Sequence, residues 1–123
     1  MKFLRTVLLF SVAVGALMAQ EQDIPQLIEK KCGACHIVTN PTIENVKHMK
    51  APPMWGVARN LIRHFKNEKA FVDFVVDYVM NPSKEKIVLD KAAMERFGLM
   101  PSLKGSVTKE ELEAIAKYMY NHY

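Results

Sequence analysis

Cysteine is scarce: two among 123 residues. That is too few for the multi-bridge framework of small secreted scaffolds, yet enough for one disulfide or one attached group. Glycine (5) and proline (6) are also few, which excludes a collagen-like chain. With half the residues apolar and 24% charged, composition argues against wholesale disorder. Basic residues never run beyond Lys30-Lys31 and no aromatic-basic interleaving occurs, so nucleic-acid binding has no support. No apolar run reaches the about 18 residues that a membrane span needs. Repeats and low-complexity tracts are missing, and no period-2 alternation extends beyond a few residues. At this length one domain with one core remains.

What is present begins at the amino end. Lys2 and Arg5 precede an apolar stretch over 7–14, and small residues follow at Gly15, Ala16 and Ala19. This order is that of a secretory signal, with cleavage expected after Ala19 and, as an alternative, after Ala16. Residues 1–19 are then removed and 20–123 form the mature domain; an uncleaved anchor is the competing reading. Loss of Lys2 and Arg5 lowers the net charge from +4 to +2, since none of the 13 acids lies in that segment. The expected location is the periplasm, with no stable membrane span after cleavage.

The informative residues are Cys32-Gly33-Ala34-Cys35-His36. Two thiols three positions apart lie on one side of a helix end, where each can add to one vinyl group of a single haem, with the adjacent imidazole meeting the iron. A thioredoxin-like dithiol is expected beside a strand and helix unit, and no strand pattern precedes this motif. A zinc site needs four ligands, which His36, His48, His64 and His122 would have to complete at no recognised spacing. One covalent haem c is the expected cofactor, with a redox dithiol or disulfide and zinc as alternatives.

The sixth iron ligand separates electron transfer from open-site chemistry. Of eight methionines, Met1 and Met18 leave with the signal. Met54 lies close after the proximal segment, and Met80 and Met119 fall in helical patterns where packing is the expected role. Met49, Met94 and Met100 remain. Met100 is favoured because Phe97-Gly98-Leu99-Met100-Pro101 enforces an irregular backbone that can hold a thioether toward iron. Met94, or a histidine such as His48 or His64, is the alternative.

The helical reading is independent of these motifs. Asp23 caps a first helix with Pro25 in its first turn and Leu27 and Ile28 on its core face. Phe71, Phe74, Val75, Tyr78 and Val79 make one stripe, ended by Asn81-Pro82. Thr108 to Glu111 is a capping box, followed by Leu112, Ile115, Ala116 and Met119 on a buried face. Tyr118 and Tyr120 are expected on the first helix. The fold class is all-α, short helices wrapped around one haem.

In the order of its motifs the chain resembles the class I, cytochrome c-like, monohaem cytochromes. The resemblance rests on Cys32–His36, the turn Ala51-Pro52-Pro53-Met54-Trp55-Gly56-Val57, Met100-Pro101 and a C-terminal helix carrying an aromatic. It implies a cytochrome c-like fold, covalent haem on Cys32 and Cys35, axial ligands His36 and Met100, and a Pro52 carbonyl on the imidazole. Such a contact fixes the tautomer and raises ligand basicity. Arg59 stands near the position of a propionate-contacting arginine without a fixed register. Thr39–Lys50 and Ser83–Phe97 look like insertions.

A closed six-coordinate iron implies a single-electron carrier of a respiratory chain, not an enzyme on its own. Redox protein partners are expected to dock weakly at an exposed haem edge, where Lys30, Lys31, Lys47 and Lys50 can contribute charge. The chain itself is expected to be monomeric. The rivals are a gas-binding or sensing haem domain, an electron-transfer subunit of a periplasmic oxidoreductase, and a Cys32–Cys35 dithiol oxidoreductase.

Overall fold

The computed structural model describes residues 22–123, and the expected signal segment 1–19 lies outside them. Six α-helices follow in order: α1 (Ile24–Cys32), α2 (Ile43–Lys47), α3 (Met54–His64), α4 (Glu68–Met80), α5 (Lys91–Phe97) and α6 (Lys109–His122). A 3₁₀ turn over Lys84–Lys86 lies between α4 and α5. Among the described residues no strand forms, and only an isolated bridge pairs Lys104 with Val107 around Gly105 at φ +90°. The fold class is all-α, as the sequence leads one to expect.

Local chemistry sets the helix starts. The Asp23 carboxylate accepts from the Gln26 N–H at 3.1 Å, with Pro25 in the first turn. This position needs no proline N–H, because the first amides of a helix have no internal partner. Thr108 and Glu111 close a reciprocal capping box on α6 at 2.9 and 3.1 Å. Asn67 and Asp90 cap α4 and α5 through the Ala70 and Ala93 amides. Each such cap contributes typically ~1 kcal/mol.

The core forms where α6 packs against α4 most extensively, and against α1 and α3. Ile28, Phe71, Leu112 and Ile115 are its largest fully buried side chains. Burying each contributes about 1.5–3 kcal/mol relative to exposure. Phe71 meets the Tyr120 ring edge-on, with centroids 5.4 Å apart, so Tyr120 reaches α4, although the sequence suggests α1 as its partner.

Three helices go beyond the sequence reading. The supposed insertion Thr39–Lys50 holds α2, whose Thr42 and Asn45 make their own capping box and which buries none of its residues. The proline-rich turn runs directly into α3, with Pro53 extended (φ −61°, ψ 145°) as its first boundary residue. Met54, Ala58 and Leu61 are then buried at i, i+4 and i+7, a stripe masked by the two preceding prolines. The charged stretch Ser83–Phe97 becomes the 3₁₀ turn and α5.

Candidate functional site

The end of α1 folds the cysteine motif into a tight turn. Gly33 donates its N–H to the Glu29 carbonyl at 3.0 Å, and a Cβ at this position runs into that same backbone oxygen. A residue without a side chain is therefore needed between the thiols. The Cys35 and His36 amides both donate to the Cys32 carbonyl, at 3.2 and 2.9 Å. Cys32 is half-buried, Cys35 is exposed, and neither forms a disulfide.

His36 lies 2.6 Å through Nδ1 from the Pro52 carbonyl oxygen. A carbonyl only accepts, so Nδ1 carries the proton and Nε2 keeps its lone pair. Burial holds the imidazole pKa below its ordinary value, while the Pro52 contact partly offsets this. The result is a neutral ring with one oriented, unprotonated nitrogen. Nearby, the Met54 N–H donates to the Ile37 carbonyl at 2.9 Å, a second tie between the segment after His36 and the start of α3.

Cys32 has the opposite character from an activated nucleophile. Burial, with a smaller contribution from Cys35, pushes its thiol up to about 11. A dithiol catalyst needs a depressed pKa, so this environment disfavours that alternative. Among the described residues no group of three or more His, Cys, Asp or Glu side chains converges.

A cavity of about 270 Å³ brings Cys32, Cys35, His36, Pro52 and Met100 to one lining. Met54, Val57 and Leu61 of α3 form part of its wall, and Phe74, Tyr78 and Val79 of α4 another. Sequence reasoning missed the α3 contribution, which the i, i+4, i+7 spacing from Met54 could have disclosed. The segment between α4 and Met100 adds Ile87, Leu89, Ala93, Met94 and Phe97, so the apparent insertion closes one side of the cavity. Phe74 and Tyr78 stack with centroids 5.6 Å apart and planes 14° off parallel. Burial raises the Tyr78 pKa, and a hydrogen bond with the Met100 backbone opposes that rise.

The other sequence candidates separate clearly. Met94 and Met100, both half-buried, share the cavity with Met54 and Met119, which belong to the packed core. Met49 and His48 border a different, shallow hollow, and the His48 ring is 3.0 Å from Glu44. His64 is exposed at the end of α3, and Arg59 is exposed and contributes nothing to the cavity lining. Of the four lysines considered for partner docking, Lys31 and Lys50 border the cavity. Lys31 also reaches the Ser106 carbonyl at 2.7 Å and Glu111 at 3.7 Å. Among the described residues no helix is long and apolar enough to cross a membrane.

No family model and no solved structure matches the chain. A protein of Aquifex aeolicus (strain VF5), described as "Uncharacterized protein", is 34% identical over 110 residues, covering 80% of this chain and 72% of the relative. The chain belongs to the same family as that Aquifex protein.

Proposed function

We propose that this chain is a class I, cytochrome c-like electron carrier, exported to the periplasm, in which Cys32 and Cys35 hold one haem c and His36 and Met100 are its axial ligands. The observation that carries the reading is the single cavity in which two free thiols, an imidazole with an available Nε2 and a half-buried thioether come together. The donor set suits this group: two sulfurs for covalent attachment, one nitrogen and one soft sulfur for iron, and aliphatic and aromatic walls for a flat apolar ring. When bound, haem supplies a one-electron ferric/ferrous couple.

The chain's own residues account for the rest. The Pro52 carbonyl holds the His36 ring in one tautomer and raises its basicity as a ligand. Phe74, Tyr78, Ile87 and Leu89 exclude water, and low local polarity together with a thioether favours the ferrous state. His36 and Met100 would together hold the iron and leave no open position for a substrate, which suits carriage of electrons. Lys50 at the cavity border, beside a Lys31 paired with Glu111, gives a redox partner a weakly cationic docking edge, and the carrier itself works as a monomer.

The test is the visible spectrum of the purified mature protein, oxidised and reduced. Sharp reduced bands of a covalent low-spin haem, with the weak red-edge band of a thioether on ferric iron, are expected. Haem bands without the red-edge band would reject Met100 as ligand, and absence of haem would reject the reading altogether.

A further inference from the structure

We infer that Ser102 is a positioning residue that clamps the Met100 segment onto the last turn of α4, an inference that rests on the proposed Met100 ligation. The last carbonyls of a helix have no partner within it, and the final two of α4 are taken by residues following Met100. The Val79 carbonyl accepts the Leu103 N–H at 3.1 Å, and the Met80 carbonyl accepts the Ser102 hydroxyl at 2.5 Å. The same Ser102 Oγ accepts the Lys104 N–H at 3.2 Å, so one side chain links the helix end to its own turn.

Met100 needs such a clamp because its immediate neighbours supply little. Among the described residues, Leu99, Met100 and Pro101 make no backbone–backbone hydrogen bond, and Pro101 has no N–H to offer. Leu99 is 40% exposed. Before the ligand stands Gly98 at φ +73°; after it stands the Ser102 and Leu103 pair. Besides the Tyr78 contact with the Met100 backbone, the segment is held from its flanks. Ser102 lies two residues away, exposed, and fills no core space, so its hydroxyl acts through backbone placement.

The other side of the same helix end provides a control. Lys86 Nζ donates to the Asn81 carbonyl at 2.9 Å and pairs with Asp77 at 2.7 Å. It caps the same end without touching the ligand segment.

The experiment titrates the ferric holoprotein with imidazole, which competes with a thioether for iron, and follows loss of the red-edge band. A net hydrogen bond of typical strength corresponds to about a fivefold change in an equilibrium. Ser102→Ala is expected to bind imidazole about fivefold tighter than wild type, Ser102→Thr to behave as wild type, and Lys86→Ala to be unchanged. Equal imidazole affinity in Ser102→Ala and wild type overturns the inference. So does an equal shift in Lys86→Ala, because the effect then belongs to helix-end stability. A wild-type protein with haem but no red-edge band removes the ligation on which the clamp rests, a failure distinct from the other two.

Discussion

The two walls of the cavity are built on different principles. On one side five consecutive residues, Cys32–His36, need only a helix end, a glycine that avoids the Glu29 carbonyl, and one distant acceptor at Pro52. On the other side Met100 follows a 3₁₀ turn, α5 and a left-handed Gly98, and is tied to α4 from residues beyond it. Chemistry that must form bonds is concentrated in adjacent residues, whereas chemistry that must be adjustable is spread over many weak contacts. Changes to the first wall should act as all or none, and changes to the second should be graded.

The largest effects are expected in the first wall. Cys35→Ala should lose covalent haem, and His36→Ala should abolish assembly or give a five-coordinate haem; mass spectrometry of the purified chain and its visible spectrum check both. The haem-free Cys35→Ala chain is also expected to be largely unfolded, because about a hundred residues with short helices bury a modest core to which the proposed haem would add a large apolar surface. A cooperative thermal transition in that chain would contradict this.

The second wall should yield by degrees. Met100→Leu should keep the haem, lose the red-edge band and lower the reduction potential, while Met94→Leu should leave both unchanged; a reversed result exchanges the two methionines. Gly98→Ala puts a side chain at φ +73° and ψ −166°, a region that is nearly glycine-only. About 1–3 kcal/mol of stability should be lost, measured by denaturant unfolding, with the covalent haem intact.

The smallest effect should come from Glu111, outside both walls. The Thr108 N–H, with smaller help from Lys31, holds its carboxyl below the ordinary value of 4.5. A carboxyl depressed in the folded state stabilises the fold above its unfolded pKa, and that contribution fades as pH falls through the lower folded value. Glu111→Gln should therefore be slightly less stable than wild type at neutral pH and converge with it in acid, which flattens the acid limb of the stability profile.

The same contrast decides what could be read in the sequence. The Asp23 cap, the Phe71 to Val79 stripe and the Thr108 box are contiguous signals, and all lie where periodicity and capping rules put them. The candidate site residues could be named from short motifs, and their common cavity lining follows from packing no motif encodes. The α3 helix was hidden because Pro52-Pro53 reads as a turn, although a proline before a helix is compatible with its start. The role of Ile87 and Leu89 was hidden because their segment carries many charges and no sustained period. Its apolar residues come to one cavity lining only in the folded chain.

The paired ties of His36 to Pro52 and Met54 to Ile37 close the base of an excursion that carries α2. Its two feet are pinned beside the imidazole, and α2 within it is closed by its own Thr42 and Asn45 caps and buries nothing. Doubling the length of a flexible loop costs only about 0.6 kcal/mol in closure entropy. Changes of length or surface at α2 should therefore cost little, whereas Val38, buried in the core, and Lys50, at the cavity border, hold the ends of the arm in place.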